Sequence, residues 1–306
     1  MVPMGEANVQ ERNGGTVMPP RVSVVMAVKN FPEKDVKAAI SSILNQDFHD
    51  LEFIIVDYGS DDDHTCVLWD AIFLDPRVNV IFYPGLTFTE ALNVGVSVST
   101  GEFIARQDAD DLSTSNRLEK QVQYLDDNPG VAVLGTGYRM VNEVTGRSWP
   151  ESFELDHQTV VELTRFGSPF AHGTLMVRSE VFDDFSYDEL MACAQDYGLY
   201  LKIIHGSDYR FFVMPDVLYI RFHTATCVTE TRKGDQDMYV GYAKERYGLG
   251  HARRHERMAV HVETYWRSPD RVKKFVAFIV VAFYDYRYWI AEYRKAQSRR
   301  PTRGHY

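Results

Sequence analysis

The run Gln107-Asp108-Ala109-Asp110-Asp111 sets three carboxylates within four residues, directly after the stretch Glu102-Phe103-Ile104-Ala105-Arg106. Like charges so spaced repel one another. A cation among them relieves the repulsion, and hard divalent cations prefer such oxygen ligands. An Asp-x-Asp at the end of a strand can hold a metal whose coordination shell a phosphate-bearing ligand completes. The structural alternative is a solvated acidic turn that caps a helix beginning near Ser115. Two other segments end on polar groups in the same way, at Lys29-Asn30 and at Asp57-Tyr58-Gly59-Ser60.

The elements that must position these groups follow from the apolar pattern. Short β-branched or apolar runs predict strands over 21–28, 51–56, 78–83 and 102–106. Helical spacing predicts helices over 35–45, 61–74, 87–98 and 115–125. Val36, Ala39, Ile40, Ile43 and Leu44 share one face of the first helix, and Thr87 or Thr89 is placed to cap the third. Four alternations of strand and helix with short connections predict a parallel α/β sheet flanked by helices. In such sheets ligands sit outside the carboxyl ends of the strands, which is where Asn30, Asp57, Asp108 and Asp110 fall. Neither Gly-x-Gly-x-x-Gly nor Gly-x-x-x-x-Gly-Lys-Ser/Thr follows any strand, which disfavours a dinucleotide fold and a P-loop. From Val131 onward the pattern shortens. Strands over 131–134, 137–141, 175–177, 209–214 and 217–222 are partly antiparallel in expectation, with helices at 159–165, 192–205, 235–247, 252–266 and 270–296.

Composition bounds the class. The 306 residues are 45% hydrophobic and 25% charged, ordinary for a globular chain with a sizeable core. Three scattered cysteines, Cys66, Cys193 and Cys227, form no Cys-x-x-Cys pair and suggest a reduced, cytoplasmic setting. The first twenty residues are polar and rich in Gly and Pro, and read as a disordered tail. The formal net charge of -10 is unevenly spread: residues 251–306 hold 13 Lys and Arg against 5 Asp and Glu, leaving 20 against 38 elsewhere. The acidic body argues against a nucleic-acid partner. The longest strongly apolar run, Phe275 to Tyr284, has ten residues, half of what a spanning helix needs. Aromatics flanked by cations over 270–296 suit a helix lying in a membrane interface at the inner face of the membrane. They suit equally a helix docked on the body or on a second copy in a homo-oligomer.

Taken together, these segments resemble family 2 glycosyltransferases of the GT-A fold, in particular bacterial enzymes that build surface polysaccharides. The resemblance rests on Val22 to Asn30, Ala39 to Gln46, Val56-Asp57-Tyr58-Gly59-Ser60-Asp61-Asp62, Ala91-Leu92-Asn93-Val94-Gly95, Thr100 to Asp111, Arg117 to Gln121, His172 to Arg178 and Ala194 to Leu201. It covers roughly 21–250, implying a catalytic domain there. Residues 21–130 form the nucleotide-sugar-binding half and 131–250 the acceptor-binding half, with a basic helical extension over 251–306.

The resemblance implies an inverting transfer of a sugar from a nucleotide diphosphate sugar, UDP by default, to a hydroxyl of a glycan or lipid-linked acceptor, assisted by Mn2+ or Mg2+. It makes Asp110 the first metal ligand. Asp108 then holds ribose or metal-bound water, and His223, within Tyr219-Ile220-Arg221-Phe222-His223, contacts metal or diphosphate. Ala27, Val28, Asn30, Asp57, Tyr58 and Arg106 join Asp108 and Asp110 around the donor. His172 lines the acceptor pocket, and Asp196 is the general base. Arg117 meets either a phosphate or a helix-surface ion pair. Trp149, Phe166 and Phe170 form either a sugar-stacking platform or core packing. Two departures stand out. Gln195 precedes Asp196 where the family has Glu, and Tyr58 takes the place of a second acid that reads the nucleobase. The alternatives are a sugar nucleotidyltransferase, which lacks its expected Gly-rich basic loop at Val28-Lys29-Asn30-Phe31, and a catalytically silent glycan- or partner-binding chain.

Overall fold

The computed structural model describes residues 19–224 and 233–247. The expected tail as far as Met18 and the basic extension, including 252–266 and 270–296, lie outside the described residues. Among the described residues no helix is long and apolar enough to cross a membrane.

Strand and helix alternate at first as expected: β1 Val22–Val28, α1 Glu33–Leu44, β2 Leu51–Asp57, α2 Asp62–Leu74, β3 Val78–Phe82, α3 Phe88–Ser97, β4 Phe103–Arg106. A two-residue β5 Leu112–Ser113 and α4 Arg117–Asp127 follow. Then come β6 Val131–Asn142, β7 Arg147–Glu151, α5 His157–Thr164, a 3-10 turn His172–Thr174, β8 Met176–Arg178, α6 Val181–Asp184, α7 Gln195–Gly206, β9 Arg210–His223 and α8 Lys233–Arg246. One nine-stranded sheet runs β3-β2-β1-β4-β8-β6-β9-β5, with β7 paired to β6. β1, β2, β3 and β4 pair in parallel. The second half contributes the antiparallel pairs β4–β8, β6–β8, β6–β7 and β5–β9, alongside a parallel β6–β9 ladder.

β1 is buried at every position, so it has apolar side chains on both faces. Val24, Met26 and Val28 pack with Phe53 and Ile55 against Val36, Ile40 and Ile43 of α1 and Leu118, Val122 and Leu125 of α4. Ala27, Ile54 and Val56 face the opposite layer, with Leu92 of α3 and Leu199 and Ile203 of α7. Thr87 caps α3 in a capping box. Its hydroxyl accepts from the Glu90 amide at 3.2 Å, and the Glu90 carboxylate accepts from the Thr87 amide at 2.7 Å.

The sequence pattern broke β6 and β9 into two strands each. The register shifts between Thr136/Gly137 and Gly137/Tyr138, and at that bulge the backbone carbonyls of Pro215 and Asp216 crowd Gly137. The ladder continues through the bulge, but the alternation that reveals a strand does not.

The strand order reverses between β1 and β4, and in sheets of this kind ligands sit beyond the carboxyl ends of the strands at such a point. Lys29-Asn30 and Gln107–Asp111 leave the sheet at that place, and Asp57 ends the neighbouring β2.

Candidate active site

The acidic run is held by a buried polar scaffold. Gln107 is fully buried, and its side-chain amide donates to the carbonyls of Asp108 at 3.0 Å and Asp111 at 2.8 Å, drawing the run into a tight turn. Ser113 Oγ donates to Gln107 Oε1 at 2.7 Å, and Arg117 Nη1 donates to Ser113 Oγ at 2.9 Å. Arg117 is itself fully buried. It also donates to Gln121 Oε1 at 3.0 Å and to the Leu175 carbonyl at 3.2 Å, and lies over the Tyr219 ring. Both sequence expectations for Arg117 are therefore corrected. It reaches neither a phosphate nor a surface ion pair, because its donors are committed inside the protein. The run does not cap α4 either: Asn116 occupies the cap position without a side-chain cap bond, and Asp111 Oδ1 instead accepts from the Phe222 amide at 2.8 Å.

The three carboxylates differ in charge state because their partners differ. Asp108 loses solvation, but Arg106, His172, Arg221 and Arg117 outweigh that loss and hold it below the usual carboxylate range. Arg106 Nη2 donates to Asp108 Oδ1 at 2.7 Å. Asp110 is pushed up to about 6 by burial and then by the charge of Asp108, and among the described residues no side-chain hydrogen bond offsets this. Burial, Asp108 and Asp110 together push Asp111 well above the ordinary range. Of the three, Asp110 is the carboxylate whose charge is least compensated by its neighbours among the described residues.

β9 supplies the opposing wall. Its pairing with β6 is regular from Tyr219 to His223, so Tyr219, Arg221 and His223 alternate onto one face. The Asp108 amide donates to the Tyr219 hydroxyl at 3.1 Å, and the Arg221 charge bears on Asp108 and Asp111. His223 extends the same face. Tyr219 also fills the space beside Gly173, where a Cβ would lie 2.2 Å from the phenolic oxygen. Sequence reasoning assigns no role to Arg221, although its two-residue spacing from Tyr219 and His223 is the signal that sets it on their face.

Beyond β2, Asp57 is 2% exposed. Its Oδ1 accepts from the amides of Gly59 at 2.9 Å and Ser60 at 2.7 Å, while its buried Oδ2 has no partner among the described residues. A buried, unpaired carboxylate oxygen is an acceptor awaiting a donor. Asn30 adopts a positive φ of 54°, which Asn tolerates. Its Oδ1 accepts from the Asp61 amide at 2.9 Å, stitching the β1 and β2 loops together. Tyr58 is partly buried beside Phe88, and Lys29 Nζ lies 5.5 Å from its ring centroid. The side chains of Ala27 and Val28 are buried in the core, so only their backbone faces the crevice.

At the other end, Ala194 takes a left-handed conformation with φ 55° and launches α7, with Asp196 in the first turn. Asp196 accepts from Ser168 Oγ at 2.8 Å, and no side-chain cap bond forms at this helix start. His172 Nε2 and the Tyr187 hydroxyl are 2.8 Å apart. Burial, reinforced by Arg106, pushes His172 down to about 4, whereas Asp196 and Asp108 pull it up. His172, Tyr187 and Tyr200 each lie within electrostatic reach of both Asp108 and Asp196. The His172–Tyr187 pair thus feels the charge of both acids. Phe166 and Phe170 are core residues, whereas Trp149 is exposed and donates to Glu151 Oε1 at 2.8 Å, so the three form no platform.

His172 carries a stability consequence. Its folded pKa lies below the unfolded value, so between pH 6.5 and about 4 only the unfolded chain gains the proton. Stability falls as pH drops through that window and levels off below it. Urea denaturation of wild type against His172→Gln is expected to show a difference that shrinks by on the order of 2–3 kcal/mol from pH 7 to pH 4. A pH-independent difference would show that His172 is not held neutral.

Among the described residues no three His, Cys, Asp or Glu side chains are grouped as a ready-made metal cage. The donor set nonetheless fits a hard cation. Asp110 offers a carboxylate whose repulsion by Asp108 a cation would relieve, and Mg2+-type ions usually keep few protein ligands and take the rest from phosphate and water.

The sequence family described as glycosyl transferase family 2 matches residues 23–201. An uncharacterized glycosyltransferase of Methanocaldococcus jannaschii is 30% identical over 67% of this chain and 71% of its own length. The O-antigen biosynthesis glycosyltransferase WbnJ of Escherichia coli is 34% identical over 60% of this chain and 72% of its own. Among solved structures, a mannosyltransferase from Pyrobaculum calidifontis in complex with GDP-Man and Mn2+ aligns with a TM-score of 0.59 at 19% identity, over 92% of this chain and 80% of that one. S. aureus TarS residues 1–349 in complex with UDP-GlcNAc aligns at 0.56 and 17% identity, over 82% of both chains. At these identities the structural likenesses speak for the fold alone, the GT-A arrangement.

Proposed function

The chain belongs to glycosyl transferase family 2 and is a glycosyltransferase, and from that premise we propose an inverting transfer in the assembly of a surface polysaccharide. The sugar passes from a nucleotide diphosphate sugar, UDP by default, to a hydroxyl of a glycan or lipid-linked acceptor. The observation that carries this reading is that the ends of β1, β2 and β4 bring Asn30, Asp57, Asp108 and Asp110 to the point where the strand order reverses, with the hydrogen-bonded His172–Tyr187 pair within electrostatic reach of both Asp108 and Asp196. The O-antigen relative and an amylovoran biosynthesis glycosyltransferase of Erwinia amylovora, 28% identical over 52% of this chain, support the polysaccharide setting.

In this reading Asp57 Oδ2 accepts from the nucleobase while Tyr58 lies alongside it, and Asn30 and Arg106 shape the donor pocket. Asp110 holds Mn2+ or Mg2+, with Asp108 and His223 adjoining. The bound cation would neutralise charge on the departing diphosphate. Arg221, on the same wall, adds fixed positive charge near the acids. His172 stays neutral and lines the acceptor pocket, and Asp196 takes the proton of the acceptor hydroxyl. The catalytic domain spans 21–250, with 21–130 serving the donor and 131–250 the acceptor. The 251–306 extension meets a membrane surface or a second copy.

Nucleotide release from UDP-, GDP- and dTDP-sugars, with and without Mn2+, tests the reading. Release from one nucleotide class, raised at least about tenfold by Mn2+, is the expected outcome. The product's anomeric configuration, read by NMR, tests inversion. Binding without release from any donor would favour a catalytically silent chain.

A further inference from the structure

Loop 165–171 runs along the face of α7 that carries Asp196, and three contacts set it in place. The Tyr197 hydroxyl donates to the Thr164 carbonyl at 2.6 Å, at the end of α5. Phe170 stacks on Tyr200 with ring centroids 4.6 Å apart, one helical turn beyond Asp196. On its other side Phe170 presses on Gly135, where a Cβ would lie 2.6 Å from the ring. The loop is thereby registered against the helix, and Ser168 comes to lie opposite Asp196, its Oγ 2.8 Å from Oδ2. The same Oγ lies 3.0 Å from the Phe170 carbonyl. A hydroxyl carries one hydrogen, and an ionised carboxylate is the stronger of these two acceptors.

We propose that Ser168 is a positioning residue for the transfer: its hydroxyl holds Asp196 Oδ2, fixes the rotation of the carboxylate, and leaves Oδ1 as the oxygen that meets the acceptor hydroxyl. The inference rests on the reading of Asp196 as the general base. In the step it serves, the acceptor proton passes to Oδ1 and the acceptor oxygen bonds to the anomeric carbon. The bond from that carbon to the diphosphate oxygen breaks, and its electron pair leaves with the nucleotide diphosphate. Once protonated, the carboxyl is a weaker acceptor, and the Phe170 carbonyl competes for the Ser168 hydrogen. Ser168 therefore holds the base most firmly while it is ionised, before transfer.

The test is nucleotide release from the donor that turns over fastest in the panel, with water as acceptor. Ser168→Ala is expected to lower kcat about tenfold and to leave the donor KM within about twofold. Ser168→Thr, which keeps a hydroxyl, is expected to restore kcat to within about threefold of wild type. In an Asp196→Asn background, Ser168→Ala is expected to change the residual rate no further. Wild-type kcat in Ser168→Ala, beside an inactive Asp196→Asn, overturns the positioning role and leaves the base in place. Failure of Thr to rescue, or an equal loss in the Asp196→Asn background, overturns it as well by assigning Ser168 to loop structure. An active Asp196→Asn, or a wild type inactive with every donor, overturns the base and the positioning role together.

Discussion

Asp196→Asn is expected to lower kcat by about a thousandfold while leaving nucleotide affinity within about twofold. The substitution keeps the shape of the side chain and an oxygen that can still accept from Ser168. It removes only the capacity to take a proton at neutral pH. A single displacement has one proton to remove, and the structure offers few substitutes. His172, an imidazole within electrostatic reach of Asp196, is hydrogen-bonded to Tyr187 and held at about 4 by burial, which makes it a poor base at neutral pH. Tyr187 and Tyr200 are pushed up by burial and remain protonated. Turnover by nucleotide release, paired with calorimetric titration of the nucleotide diphosphate, separates chemistry from binding. Turnover at the wild-type rate would remove Asp196 from the mechanism.

Asp110→Asn should abolish the Mn2+ response of turnover, with kcat down by about a hundredfold or more, and yet stabilise the metal-free protein. The two effects share one cause. Asp110 is a largely desolvated carboxylate repelled by Asp108, with a folded pKa of about 6, so its ionised form at pH 7 opposes folding. Neutralising it removes that opposition, and a gain of about 1–3 kcal/mol follows from a shift of this size. Thermal melts in chelator should therefore place the variant above wild type, and saturating Mn2+ should narrow or reverse the gap. A variant with wild-type Mn2+ activation would show that the cation is held elsewhere. Asp108→Asn should act differently, because Asp108 is bonded to Arg106 and its loss would leave a buried guanidinium without its counter-charge.

The first half of the fold was legible because its signals are local. β1 through β4 are short apolar runs, α1 and α3 show one apolar face, and Thr87 with Glu90 spells out its own cap. The ends of those strands also revealed the crevice, since a parallel sheet places Asn30, Asp57 and Asp108 together by topology alone. The second half was harder for a physical reason. β6 and β9 are held by a long mutual ladder that tolerates a bulge at Gly137, and β5 exists only because two residues pair with β9. Neither is written in the periodicity of its own segment. The same limit applied to Arg117. A charged residue near the start of a helix reads as solvent-facing, and it takes Ser113, the Leu175 carbonyl and the Tyr219 ring, brought from separate elements, with Gln121 one turn along, to make burial tolerable. Ser168 was invisible in the same way, because its partner lies 28 residues away.

The packing of Tyr219 against Gly173 also bears on how this sequence can drift. Position 173 sits between His172 and Thr174 in a short turn, where substitution is ordinarily cheap. Here the space a methyl group would take is already occupied by a fully buried phenol whose oxygen accepts from the Asp108 amide. Any larger residue at 173 must displace that phenol, and the displacement reaches the acidic turn of a different strand. The two positions can therefore change only as a pair. A hydrogen atom at residue 173 is thus a steric requirement of the acidic turn, while presenting no chemistry by which it could be noticed.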